Sequence, residues 1–301
     1  MHARKNIPFL RFLGAMKPVI LALAVVMSGA ALAIAAEQSP QTPEAVEKFV
    51  NVGQYSLNFR IIPGKSPAVL LESGGGLDST EWTALAPLLA RETGATIIAY
   101  DRAGFGKSDL PETKCDLHED TEALWRGLRQ LGLDQNLILV GHSYGGFLIR
   151  FEAGEHHDSV KGLVFVDPFT VEFVDAMGIE ACNNHPMMGK LPFDTSKPEK
   201  LNKYQRAAVR MVGAPNSNLA EKCAAIRKTV LPRGLPVRVI TSGKNWLLPE
   251  EQKIWRESHE RLTASIEGAK LLVAEQSNHM IPFMQPDLVV SVVKEVVRLA
   301  F

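Results

Sequence analysis

A serine flanked by glycines, Gly141-His142-Ser143-Tyr144-Gly145, stands between an apolar run, Leu137–Val140, and a stretch of helical character, Tyr144–Glu155. The pattern G-x-S-x-G after a strand and before a helix suits a sharp turn that raises a hydroxyl above the end of a sheet. Glycines on both sides let the backbone bend and let neighbouring strands come close. An ordinary glycine-rich turn is the plainer alternative, and the flanking strand and helix weigh against it. A hydroxyl is a weak nucleophile at neutral pH and needs a base within hydrogen-bond reach. His279, in a short loop after the run Lys270–Ala274 and ahead of Pro282 and Pro286, is the candidate base. The chemistry of such a pair is acyl transfer: the hydroxyl attacks a carbonyl carbon, the imidazole moves the proton, and water releases the acyl group.

The elements needed to position these residues follow from periodicity. Phe49–Val52 and Tyr55–Ile62 read as a hairpin around Gly53, and Ala68–Ser73 and Thr96–Tyr100 as short buried strands. Ser79–Glu92 is amphipathic, and Asp116–Leu131 places Leu117, Leu124, Leu128 and Leu131 on one helical face. Asn136–Gly141, Lys161–Val166, Pro236–Ser242 and Lys270–Ala274 are further strands, and Pro249–Ile266 and Asp287–Leu299 further helices. Strands alternating with helices predict an α/β chain with a mostly parallel sheet covered on both faces. From Phe169 to Gly234 the alternation stops, and Pro186, Pro192, Pro198, Pro215 and Pro232 punctuate short helical pieces. The expected organisation is a core of residues 37–168 and 235–301 with a helical cap, 169–234, above the carboxyl edge of the sheet, where such folds hold ligands.

Composition narrows the classes. The 301 residues are 46% hydrophobic and 22% charged, which is a globular balance. Lys+Arg and Asp+Glu are both 33, so the basic surplus that a nucleic-acid partner requires is missing. Residues 1–36 differ from the rest: Arg4, Lys5, Arg11 and Lys17 precede an uncharged apolar run, Val19–Ala36, ending in Ala31-Leu32-Ala33 and Ala33-Ile34-Ala35. That is the layout of a signal peptide, with Met16 as a possible start, and it predicts export to a periplasm or the medium. An uncleaved N-terminal anchor is the alternative, since about 18 apolar residues just span a bilayer. In an oxidising compartment Cys115, Cys182 and Cys223 allow one disulfide, and Cys182–Cys223, both in the irregular segment, is the preferred pair. Adjacent His156 and His157 diverge on a helix and make a poor metal pair, and no metal site is expected. Gly104-Phe105-Gly106-Lys107-Ser108 falls short of a phosphate loop, because Asp101 occupies the first glycine position. A tight loop held by Asp101 and Arg102, with Phe105 at a pocket, is the reading for that segment.

Four segments together resemble the α/β-hydrolase superfamily over Phe49–Phe301. They are Leu71-Glu72-Ser73-Gly74-Gly75-Gly76, Tyr100-Asp101-Arg102-Ala103-Gly104-Phe105-Gly106, Gly141-His142-Ser143-Tyr144-Gly145-Gly146 and Asn278-His279-Met280-Ile281-Pro282. The resemblance, closest to a capped, esterase-like subgroup, implies an eight-stranded sheet, no cofactor, and the chain order serine, acid, histidine. The acid usually follows the seventh strand, but Ile240-Thr241-Ser242-Gly243-Lys244-Asn245-Trp246 has no carboxylate, and the nearest is Glu250. Some members take it from the neighbouring strand end, which here is Asp167. Asp167 is therefore the expected acid, Glu250 the lesser choice, and an aspartate merely starting the cap the structural alternative. Of the two backbone donors that an oxyanion requires, Tyr144 follows the nucleophile directly, and the family pattern assigns the other to Gly75, with Gly76 as substitute.

The expected substrate is a small ester-like molecule. Phe169, Phe173, Met177, Met187, Met188, Phe193 and Trp246 are possible apolar lining, each with a place in the cap core as its alternative. His142 is expected to point away from the site, and His185 at most to touch substrate. A proline-releasing aminopeptidase, with Glu172, Asp175 or Glu180 holding an amino group, and a non-catalytic ligand-binding protein are the competing readings.

Overall fold

A computed structural model of the chain describes residues 43–186, 190–212 and 218–301. The expected leader and residues Met187 and Met188 lie outside the described residues.

Eight strands form one sheet: β1 (Val46–Asn51), β2 (Ser56–Ile62), β3 (Lys65–Glu72), β4 (Ala95–Asp101), β5 (Leu137–His142), β6 (Val160–Val166), β7 (Val237–Ser242) and β8 (Lys270–Ala274). Their spatial order is β1-β2-β4-β3-β5-β6-β7-β8. The pairs β1/β2 and β2/β4 are antiparallel and all others parallel, the eight-stranded, mostly parallel sheet that was expected. The hairpin forms where Gly53 was expected to turn it, and its N–H donates to Asn51 Oδ1 at 3.0 Å. Every residue of β4, β5 and β7 is buried, as continuous apolar strands covered on two faces must be.

Helices α1 (Leu85–Thr93), α2 (Leu117–Leu131), α3 (Tyr144–Glu155), α8 (Pro249–Ala264), α9 (Ile281–Met284) and α10 (Pro286–Ala300) belong to the alternating part, and α4 (Val171–Met177), α5 (Ile179–Asn184), α6 (Lys203–Val212) and α7 (Leu219–Lys228) to the segment between β6 and β7. Side chains of α2, α3 and α8 meet one sheet face around Phe59, Leu70, Leu139 and Phe165. Those of α1 and α10 meet the other around Val69, Ile97, Val140 and Val164. The ends of α2 are legible in its sequence: Asp116 accepts from Glu119 N–H at 3.0 Å, and Gly132 closes the helix at φ 69°. The single amphipathic stretch expected over 79–92 splits into a 3₁₀ turn, Ser79–Trp82, and α1. Pro87 accounts for the break, since proline is tolerated only in a helix's first turn.

The segment between β6 and β7 has its own apolar cluster, in which Phe169, Phe173, Val174, Cys182, Cys223 and Ile226 pack with Phe147, Phe151 and Trp255. Phe169, Phe173, Met177 and Trp246 belong to this cluster, the core alternative already named for them. The expected Cys182–Cys223 disulfide is absent, and both residues are free thiols. Each is packed as a small apolar group, and burial pushes Cys182 to about 12 and Cys223 to about 11. No helix among the described residues is long and apolar enough to cross a membrane.

Candidate active site

β5 runs straight into Ser143, which has φ 51° and ψ −117° and is the residue before α3. A non-glycine residue at positive φ is strained by roughly 1–3 kcal/mol and persists only where its surroundings fix it. Here the Ser143 N–H donates to the Val166 carbonyl at 3.1 Å, and the Ser143 carbonyl accepts from Gly146 and Phe169, each at 2.9 Å. The turn also brings α3 against β3, so closely that a Cβ at Gly145 would overlap the Glu72 carbonyl.

His279 Nε2 lies 2.9 Å from Ser143 Oγ, and His279 Nδ1 lies 2.7 Å from Asp167 Oδ2. A carboxylate only accepts, so Nδ1 carries the proton and Nε2 is free to accept from the serine hydroxyl. Asp167 is fully buried at the end of β6 with φ 44°, and its Oδ1 accepts from the Ser242 N–H at 2.7 Å. Burial alone would raise its pKa, but His279, His259 and the Ser242 N–H outweigh it and hold the carboxyl at about 2. Burial lowers the pKa of His279. Asp167 opposes that shift, the charge of His142 reinforces it, and the outcome lies below the usual histidine value. The imidazole is neutral near pH 7. Trp246 stacks on its ring, with centroids 4.1 Å apart and planes 19° apart.

The structure thus brings together Ser143, His279 and Asp167. Glu250 is exposed in the first turn of α8 and makes no bond to His279 among the described residues. β7 supplies a backbone N–H where a carboxylate is usual, and that N–H fixes the carboxylate of the strand beside it.

Sequence reasoning missed the part played by His142. Its side chain faces the loop that carries His279: Nε2 donates to the His279 carbonyl at 2.9 Å, and Nδ1 bonds Glu81. Both partners are acceptors, so both ring nitrogens bear hydrogen and His142 is an imidazolium. Burial opposes the charge and Glu81 prevails, raising the pKa of His142. The other Glu81 oxygen accepts from Gly74 N–H at 2.8 Å, so one buried carboxylate ties the glycine loop, through His142, to the loop of His279. Glu81 sits beside Trp82 on the apolar side of its turn, which was the available signal.

The glycine loop is held from its other side by Arg102, which donates to the carbonyls of Ser73 at 2.6 Å and Leu77 at 3.3 Å and also bonds that of Gly74. Gly75 faces the first turn of α3, where a Cβ on it would lie 3.5 Å from Tyr144 Cβ. The N–H groups of Gly75 and Tyr144 have no acceptor among the described residues. Gly76, the substitute donor, adopts φ 76°.

Beside Tyr144 lies a cavity of about 50 Å³ between β4, α3 and α6, with Arg102, Phe105, Glu152 and Met211 in its walls. Its walls are more polar than the aromatic lining expected from the 169–234 segment, and of the residues named in advance for a pocket only Phe105 is there. Glu72, wholly buried, accepts from Arg102 at 3.1 Å and from Tyr100. Burial pushes both carboxyls up, and the neighbouring Glu72 charge adds to the rise of Glu152, which ends well above the usual value. Glu172 and Asp175, the candidate amino-group ligands, are taken by Arg150 and Arg227, while Glu180 is exposed. His185 stands 3.5 Å from Glu251.

A family model described as "Alpha/beta hydrolase family" matches residues 68–292. The uncharacterized protein YqjL of Bacillus subtilis (strain 168) is 22% identical over 222 residues, 73% of this chain and 79% of that protein. A proline iminopeptidase of Lactobacillus delbrueckii subsp. bulgaricus is 28% identical over 129 residues, covering 40% of this chain and 43% of the relative. Among solved structures, a thermophilic esterase from Thermogutta terrifontis superposes with a TM-score of 0.55 at 18% identity, over 86% of this chain and all of the other, a likeness of fold alone.

Proposed function

The chain belongs to the alpha/beta hydrolase family, and on that premise we propose that it is a serine hydrolase that cleaves a carboxylic ester of a small molecule. The observation that carries this reading is the chain of bonds from Ser143 Oγ to His279 Nε2 and from His279 Nδ1 to Asp167.

In the proposed reaction the Ser143 oxygen forms a bond to the ester carbonyl carbon while its proton passes to His279 Nε2. The carbonyl oxygen becomes an oxyanion in front of the Gly75 and Tyr144 N–H groups, donors fixed in place before charge develops. The carbon–oxygen bond to the leaving alcohol then breaks, and that oxygen takes the proton from His279. A water molecule gives a proton to His279 and bonds to the acyl carbon, and departure of Ser143 with that proton yields the carboxylic acid and the starting enzyme. Asp167 keeps the imidazole in the accepting tautomer and offsets the positive charge it briefly holds. The 169–234 segment acts as the cap over this site. Residues 1–36 direct the chain out of the cytoplasm, and an N-terminal sequence of the exported protein beginning after Ala33 or Ala35 is the expected mark of processing.

A fluorophosphonate probe tests the nucleophile directly. The wild-type protein should be labelled at Ser143 and should hydrolyse 4-nitrophenyl esters, and Ser143→Ala should do neither. An unlabelled wild-type protein with no turnover of short or medium acyl esters would sink the proposal.

A further inference from the structure

Trp246 lies in the loop between β7 and α8, a stretch with no carboxylate before Glu250. Its indole is stacked on the His279 imidazole, with centroids 4.1 Å apart and planes 19° apart. The pose is fixed from several directions. The backbone N–H of Trp246 donates to Gln252 Oε1 at 2.9 Å, and the buried Trp255 meets the indole edge-on at 5.1 Å. Two residues earlier, the Lys244 N–H donates to the Ser277 carbonyl at 2.8 Å, which ties this loop to the one that carries His279. The indole Nε1–H has no acceptor among the described residues. Leucine or phenylalanine would fill the same place without burying an unpaired N–H, so packing alone does not account for a tryptophan. Its face does, because indole attracts a cation more strongly than any other aromatic side chain.

The charges around His279 show why such a face is needed. Those that face it are Asp167 at the end of β6, His142 at the end of β5 with Glu81 behind it, and His259 of α8. Burial lowers the pKa of His259 and keeps it neutral near pH 7. His142 is the imidazolium, and its ring centroid lies 4.8 Å from that of His279. When His279 takes the Ser143 proton in the proposed reaction, a second positive charge forms beside the first, where water screens it little. Asp167 is the only carboxylate bonded to His279 among the described residues, and it is shared with the Ser242 N–H.

We infer that Trp246 is a further catalytic residue, whose indole face stabilises the imidazolium that His279 becomes and offsets its repulsion by His142. This deepens the hydrolase reading and rests on it. A neutral imidazole gains little from the indole and a charged one gains more, so the attraction grows as the proton arrives. It therefore acts on the transition states of both acyl-transfer steps and not on the binding of substrate. Weakening the face should lower kcat, keep KM, and loosen the hold of His279 on its proton.

Fluorinated tryptophans installed at Trp246 alone, by nonsense suppression, test this with the shape of the ring and the exclusion of water nearly unchanged. Each added fluorine drains the ring face, so kcat for a 4-nitrophenyl ester should fall in step with fluorine number, by about tenfold at four fluorines, while KM holds. The proton affinity of His279 should fall over the same series by about the same factor. It is read by NMR titration of carbon-13-labelled histidine, with the His279 signal assigned by its loss in His279→Gln. The acid limb of the kcat/KM profile should move to lower pH in parallel. A merely structural tryptophan would change the fraction of protein labelled by a fluorophosphonate and leave the titration of His279 where it was. Either kcat per labelled site or the His279 titration indifferent to fluorination would overturn the inference. A wild-type protein without labelling or turnover would instead strike the hydrolase reading, and the titration series would still show whether the indole face holds the imidazolium.

Discussion

Asp167→Asn is the sharpest test of the hydrogen-bond chain, because the surroundings dictate how the new amide must lie. The Ser242 N–H at 2.7 Å from Oδ1 needs an acceptor, so the asparagine oxygen stays there and its NH₂ group turns to His279. An NH₂ group donates, which obliges Nδ1 of His279 to accept and leaves the ring's single proton on Nε2. That nitrogen then points a hydrogen at Ser143 Oγ, 2.9 Å away, and cannot take the serine's proton. Reversing the tautomer in this arrangement costs a factor of about 10⁴ in kcat, or roughly 5 kcal/mol of barrier. The assay is kcat and KM for a 4-nitrophenyl ester, with circular dichroism and the thermal midpoint confirming an intact fold. KM should change little, since the carboxylate is buried behind the imidazole. A folded Asp167→Asn protein whose kcat stays within about tenfold of wild type would refute the reasoning about tautomers and the place of Asp167 in the mechanism.

The same carboxylate makes the fold acid-sensitive. Its folded pKa, about 2 against the usual 3.8, is depressed, so its stabilisation is complete above pH 3.8 and is lost as pH falls toward 2, amounting to about 2 kcal/mol. His279 and His259, both held below the usual histidine value, also favour unfolding once pH drops under 6.5. The thermal midpoint should therefore fall steadily on acidification and most steeply in the lowest part of that range, and a flat profile would contradict these shifts. His142 has the opposite sign: its raised pKa gives stability that is fully present below pH 6.5 and is lost as pH rises through the folded value. Glu81→Gln removes the partner of that buried imidazolium and should cost about 3 kcal/mol at neutral pH, read as a lower midpoint in chemical denaturation. An unchanged midpoint would mean that His142 is neutral in the fold.

Much of this architecture is local information. Strand runs such as Leu137–Val140 and helix ends such as Asp116 and Gly132 carry their own signals, and the hydrophobic period orders them along the chain. Ser143 and His279 stand out because each falls at the edge of such an element. Asp167 was harder, since the strand end that usually holds an acid has none, and only the register of β6 against β7 sets the Asp167 carboxylate beside the Ser242 N–H. The buried polar groups were illegible for a related reason. Glu72 and Glu152 lie 80 positions apart on different elements, and each reads alone as one charge in an apolar stretch. Short helices α4 to α7 lack the length over which a period can be counted, and their places are set by packing on Trp255, Phe147 and Phe151.

Ser143 and Asp167 sit at the ends of adjacent central strands, joined by the bond from Ser143 N–H to the Val166 carbonyl, whereas the His279 imidazole rides on a turn that follows β8. β8 is one of the two edge strands, with a partner on one side only. Mild heating should therefore fray that margin first and carry the histidine off, while the middle of the sheet keeps its order. Such a molecule would fall silent before it melts, and would wake on cooling once its rim had zipped back.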